Sequence, residues 1–273
     1  MPTETTDRVR FFFEVDLHEA DIQPIASGVV AVYTTRCPEK ETPNEDATAL
    51  IACGPKSGVL AVADGFGGQP TGEQAARLAL QALARAVDRA LETGGTLRAG
   101  ILDGFERAND AVTDLGVGAA TTLVALEIDD RRARSYHVGD STALVVGQRG
   151  KLKLQTVSHS PIGYIVEAGW LGEDEALHHE DRHIVSNMVG SPDMRIEIGP
   201  SLRLRPRDTA VLGSDGLFDN LPVQEIVELV RKGPLSKVAE LLTAKCDRRM
   251  RSPDQGQPSK PDDLAFILYR PQA

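Results

Sequence analysis

The chain has 273 residues, enough for one well-cored domain or at most two small ones. Its 41% apolar and 26% charged residues are ordinary for a soluble globular protein. The net charge of −10, with basic residues interspersed, argues against nucleic acid or an anionic membrane as partner, because both need a positive footprint. Cys37, Cys53 and Cys246 are too few and too scattered for a disulfide framework, which points to a reducing cytoplasm. The N-terminus lacks the basic start and apolar core of a signal peptide, and no apolar run approaches the roughly 20 residues of a membrane span.

Short apolar runs bounded by Gly, Pro or polar residues predict strands at Phe11 to Val15, Gly28 to Tyr33, Thr48 to Ala52 and Gly58 to Ala63. The period then changes. Thr71 to about Thr93 is Ala/Leu-rich, with Thr71 and Gln74 fitting a capping box and Gly94 at a helix C′ position. Ile101, Phe105, Ala108, Val112 and Leu115 form one stripe of a second helix from Leu97 to Leu115. Strands are expected again at Thr121 to Ile128, Arg132 to Val138, Thr142 to Gly147 and Lys151 to Val157. The acidic stretch from Ser158 to Asp193 holds two short helices, near Ile162 to Glu167 and Asp174 to His178. Strands near Arg195 to Ile198, Leu202 to Leu204 and Thr209 to Leu212 precede helices at about Val223 to Arg231 and Ser236 to Arg249, and Leu264 to Tyr269 closes the chain as a strand. Strand and helix runs are segregated rather than alternating, which gives an α+β class with largely antiparallel sheets, and no linker divides residues 1–273, so one domain is expected.

Four segments set an aspartate beside a tight-turn residue at the end of a strand-like run: Val62-Ala63-Asp64-Gly65-Phe66-Gly67-Gly68, Val138-Gly139-Asp140-Ser141, Gly213-Ser214-Asp215-Gly216 and Pro261-Asp262-Asp263-Leu264. Any one alone is a turn. Together they predict a carboxylate cluster that repels itself unless cations neutralise it, and oxygen-only ligands suit Mg²⁺ or Mn²⁺.

With Asn44-Glu45-Asp46, Gly72-Glu73-Gln74, Ala119-Ala120-Thr121-Thr122, Glu167-Ala168-Gly169-Trp170 and Leu217-Phe218-Asp219, these segments resemble the metal-dependent (PPM, type-2C) family of Ser/Thr protein phosphatases, bacterial type. The resemblance implies a four-layer α-β-β-α sandwich with the site at one edge. It implies two tightly held Mg²⁺ or Mn²⁺ ions bridged by Asp64, with Gly65 adding a carbonyl and Asp215 and Asp262 completing one ion. Asp140 with Asp215 resembles the ligands of a third, weaker ion, and Glu45 and Asp46 would form the outer shell. Two such ions lower the pKa of a bridging water, so phosphate can be attacked directly without a covalent nucleophile. The implied substrate is a phosphoprotein, such as a target of a Ser/Thr kinase.

The chain departs from the pattern at three places. Glu41 stands where members carry a phosphate-binding arginine, with Arg36 and Lys40 nearby but out of register. Phe66 stands for the histidine of eukaryotic members, and Asp263 for an asparagine. Glu41 leaves open a metal-binding pseudophosphatase that senses or sequesters a phosphoprotein. A more distant alternative is a zinc metalloprotease, since His179-Glu180-Asp181-Arg182-His183 satisfies H-E-x-x-H, with Glu197 as third ligand, although the stretch is polar on nearly every side.

Overall fold

The computed structural model describes residues 8–66, 71–252 and 256–272. Gly67 and Gly68 of the first aspartate motif and the first seven residues lie outside the described residues. Strands β1 (Val9–Phe12), β2 (Asp21–Ile25), β3 (Gly28–Thr35), β4 (Asp46–Ala52) and β5 (Ser57–Phe66) are followed by helices α1 (Gly72–Glu92) and α2 (Leu97–Thr113). Next come β6 (Ala120–Thr121), β7 (Leu123–Asp129), β8 (Arg132–Val138), β9 (Thr142–Val146) and β10 (Leu152–Gln155). The acidic stretch carries α3 (Pro161–Glu167), α4 (Glu173–Ala176) and a single 3-10 turn, Glu180–His183. The remaining elements are β11 (Glu197–Ile198), β12 (Leu202–Arg203), β13 (Thr209–Gly213), α5 (Asp215–Phe218), α6 (Val223–Val230), α7 (Leu235–Arg251) and β14 (Leu264–Pro271).

One sheet has the order β1-β4-β5-β7-β8-β11, with β6 on β5 and β12 on β8; the other has the order β10-β9-β13-β14-β3-β2. Every strand pair among the described residues is antiparallel. The two-residue period of a strand sorts side chains into layers. On β5, Val59, Ala61 and Ala63 pack under α1 and α2, while Leu60 and Val62 face the second sheet. On β14, Ala265, Ile267 and Tyr269 face the first sheet, while Leu264, Phe266 and Leu268 pack under α6 and α7. Three apolar layers separate four structural layers, so the α-β-β-α sandwich of the α+β class is the fold.

Both predicted long helices form, and Gly94 takes the left-handed conformation (φ 71°) expected just past the end of α1. Thr71 is the N-cap of α1, yet its side chain makes no capping hydrogen bond. The first strand begins earlier than expected and stops at Phe12, and β2 has no counterpart in the sequence expectations. β2 is an edge strand carrying Pro24, and proline at an edge weakens the alternation by which strands are recognised.

Candidate functional site

Strand ends from both sheets bring the aspartates to one edge of the sandwich. Asp46 opens β4 and is the register partner of Asp64 on β5. Both continue the face of Thr48 and Leu50 or Leu60 and Val62, so their carboxylates point between the sheets. Asp140 lies in the β8–β9 connection, Asp215 opens α5 directly after β13, and Asp262 precedes β14.

The supporting contacts are hydroxyls and backbone. The Asp64 N–H donates to Thr122 Oγ1 at 3.0 Å, and its carbonyl accepts from the Thr122 N–H at 2.8 Å and from Thr121 Oγ1 at 2.9 Å. Thr122 Oγ1 lies 2.7 Å from Ser141 Oγ, which ties the Asp64 strand to the Asp140 loop. Ser214 Oγ donates to Asp46 Oδ2 at 2.5 Å, joining the two sheets at the site. The Asp-Gly pairs have a packing reason beyond turning. A Cβ on Gly65 would run into the Gly72 carbonyl, and one on Gly216 into the Asp263 carbonyl, so glycine lets neighbouring backbone close on each aspartate.

The electrostatics are those of crowded carboxylates. Desolvation raises Asp46, Asp64 and Asp215 well above the usual range, and the nearest carboxylates add to it: Asp263 for Asp46, Asp46 for Asp64, Asp262 for Asp215. Desolvation, followed by Asp219, pushes Asp140 up to about 6. Asp140 Oδ1 is shut off from solvent without a hydrogen-bond partner. An all-oxygen set with an unpartnered buried acceptor and excess negative charge fits a hard divalent cation.

Two residues of the site carried no role in the sequence expectations. Asp219 lies one helical turn after Asp215, a spacing that puts both on one side of α5. Lys260 Nζ bonds Asp215 Oδ2 and lies 3.0 Å from Asp262 Oδ2 and 3.4 Å from Asp219 Oδ2. The cations near position 41 are engaged as well. Lys40 Nζ is 2.6 Å from both Glu45 Oε2 and Asp263 Oδ2, and Arg36 pairs with Asp16 at 2.9 Å. Glu41 is exposed and lines a cavity of about 1110 Å³ with Arg36 and Lys40.

The zinc-protease alternative fails on geometry. Glu180–His183 is one 3-10 turn with His179 as its N-cap, so His179 and His183 do not share an α-helical face. Glu197 lies elsewhere, 3.2 Å from His159 Nε2 and opposite His137 on β8. His137, His159 and Glu197 are close enough to hold an ion, but both nitrogens of His159 and the Nε2 of His137 are already engaged, while His137 Nδ1 is buried without a hydrogen-bond partner. His159 Nδ1 accepts from the Gly139 N–H at 3.1 Å and from Asn187 Nδ2 at 2.8 Å, which leaves the proton on Nε2, facing Glu197. The two imidazoles also stack, with centroids 4.4 Å apart, rather than converging on one point. What Arg182 of that motif does is bind the Leu177 and Ser259 carbonyls and approach Asp219 at 3.8 Å, linking the turn to the aspartate edge.

Known proteins share this sequence pattern and fold. Residues 35–245 match the family model described as Protein phosphatase 2C. The chain is 31% identical over 215 residues to protein phosphatase PhpP of Streptococcus pneumoniae, covering 75% of this chain and 85% of that one. It superposes on the serine/threonine phosphatase PstP/Ppp of Mycobacterium tuberculosis with a TM-score of 0.73 at 25% identity, covering 89% of this chain and 98% of that one. A structure of the PstP catalytic domain in complex with two manganese ions shares the fold at 24% identity, with a TM-score of 0.66 over 88% of this chain and 96% of that one. By the family-model match over residues 35–245 and the 31% identity to PhpP across most of both chains, the chain belongs to the protein phosphatase 2C family of enzymes.

Proposed function

We propose that the aspartate edge is a Mg²⁺ or Mn²⁺ centre at which this single-domain enzyme hydrolyses phosphoserine and phosphothreonine in proteins, including targets of a Ser/Thr kinase. The observation that carries it is the convergence of Asp46, Asp64, Asp140, Asp215, Asp219 and Asp262 from both sheets, with a buried Asp140 oxygen left without a partner. The relatives' names describe serine/threonine phosphatases, one of them with two manganese ions. The three unpaired cysteines support a reducing cytoplasm, and no described helix is long and apolar enough to cross a membrane.

Asp64, the Gly65 carbonyl, Asp215 and Asp262 would hold two ions, Asp140 with Asp215 a weaker third, and Glu45 and Asp46 the outer shell. Bound ions supply an activated water and offset charge on the phosphoryl oxygens. The chain's own part is orientation. Thr121, Thr122 and Ser141 fix the Asp64 and Asp140 loops, Ser214 aims Asp46, and Lys40 holds Glu45.

Hydrolysis of a phosphothreonine peptide should require Mn²⁺ or Mg²⁺ and vanish with chelator. Asp64→Asn should lower turnover by roughly 100-fold or more, in the range of losing one electrostatic stabiliser. It should also raise the melting temperature of the metal-free protein by relieving repulsion. Near-full activity of Asp64→Asn, or metal-independent turnover, would refute the assignment.

A further inference from the structure

Lys260 enters the carboxylate cluster itself, and its place there is built rather than incidental. The side chain is 22% exposed, and its ammonium meets Asp215, Asp262 and Asp219 together. Fully buried Asn220 clamps its backbone from both sides: Oδ1 accepts the Lys260 N–H at 2.9 Å, and Nδ2 donates to the Lys260 carbonyl at 2.8 Å. The same Nδ2 donates to the Gly216 carbonyl at 2.9 Å, so Lys260 is fixed to the turn that carries Asp215 and Asp219. Ser259 adds a second anchor, donating from Oγ to the Arg249 carbonyl at 2.9 Å and accepting from Arg182 Nη2 at 3.0 Å.

Two of the three carboxylates that meet the ammonium, Asp215 and Asp262, are those assigned above to a divalent ion. An ammonium and a divalent ion cannot share these oxygens cheaply, because like charges a few Å apart repel by several times the thermal energy at protein dielectrics. Without metal, the same ammonium relieves the repulsion among the carboxylates.

We propose that Lys260 is a resident monovalent cation of the aspartate edge: it holds Asp215, Asp219 and Asp262 together in the metal-free enzyme and competes with a divalent ion for Asp215 and Asp262. The inference rests on the metal reading of that edge. Lys260 thus acts through the carboxylates, as a positioning residue, and raises the metal concentration at which the centre fills.

Isothermal titration of the metal-stripped full chain with Mn²⁺ tests this, alongside melting of the metal-free form. Lys260→Gln should bind Mn²⁺ about tenfold tighter or more while its metal-free form melts lower. Lys260→Arg, which keeps the charge, should stay within about threefold of wild type in affinity. Loss of a merely structural side chain would loosen the carboxylates and weaken binding, so tighter binding is the distinguishing result. Lys260→Met, which keeps the unbranched stem, is read the same way if the Gln variant misfolds. Unchanged or weaker Mn²⁺ affinity in the neutral variants overturns the competition while leaving the metal centre standing. Absence of Mn²⁺ uptake by wild type and variants alike overturns the metal reading and this inference with it.

Discussion

Lys40 directs its charge inward. Its ammonium is held between Glu45 and Asp263, which raise its pKa against the opposing effect of burial, and Arg36 is held by Asp16. Position 41 therefore offers an incoming phosphate a carboxylate beside two cations that already have partners. Loss of one charge-assisted hydrogen bond is worth ~1.5–3 kcal/mol, roughly 10- to 150-fold in affinity. Glu41→Arg should accordingly lower KM for a small aryl phosphate by about tenfold, with kcat changing less, because the contact is made equally in ground and transition states. Steady-state kinetics decide it, and an unmoved KM refutes it. His137 carries a different expectation. Desolvation pushes it down to about 4, and its buried Nδ1 has no partner. A depressed pKa means the unfolded chain binds more protons, so this stabilisation is present above about 6.5 and is lost as pH falls toward the folded value. Between pH 7 and 5 the loss is about 2 kcal/mol. His137→Gln keeps a donor for the Val157 carbonyl, and its melting temperature should fall less than that of wild type over this range. Equal falls in the two proteins would contradict it. At this scale the sequence named the aspartates because each sits in a short motif. It was silent on the Lys40–Asp263 and Lys260–Asp215 pairs, whose partners lie 223 and 45 positions apart and meet only in the folded chain.

Among the elements, α1 and α2 meet at backbone distance. A Cβ on Gly104 would lie 2.8 Å from Leu83 Cδ1 and 2.9 Å from Leu83 Cα, so glycine sets the separation of the two helices. Gly104→Val should destabilise the fold by about 1–3 kcal/mol through overpacking, read as a lower urea midpoint with unchanged slope. An unaltered midpoint would show that the helices part freely. The periodicity that predicted α2 named Ile101, Phe105, Ala108, Val112 and Leu115; the first four are buried on the helix, because a one-sided helix writes its face into the sequence, while Leu115 lies past its end at Thr113 and is half-buried. The H-E-x-x-H string, only a distant alternative from the sequence, forms no α-helix for the complementary reason. A ligand motif has meaning only on the element it presumes, and a stretch polar on every side had no apolar face to hold it as an α-helix.

Across the whole molecule, the two inner sheets are covered on both faces, so strands such as β13 are buried at every residue. Continuous apolar runs reveal that a strand is central but not which neighbour it takes, so the α+β class could be read in advance while the strand order could not. The molecule as a whole should respond to metal. An ion that binds only the folded state adds about 2.7 kcal/mol at 100 times its Kd, which for a chain of this size raises the melting temperature by about 5 °C. Thermal melts with Mn²⁺ and with chelator measure it, and superimposable curves would contradict the metal centre.

The position of β14 has a consequence for synthesis. This strand lies between β13 and β3 in the middle of its sheet, pairs with β3 along all eight of its residues, and is preceded by Asp262. A chain leaving the ribosome holds Asp46, Asp64, Asp140 and Asp215 long before the last carboxylate and the central strand arrive. Until then the second sheet has a gap at its centre and the edge is incomplete. On the assignment proposed above, the metal-binding edge therefore stays incomplete until β14 has left the ribosome and inserted between β13 and β3.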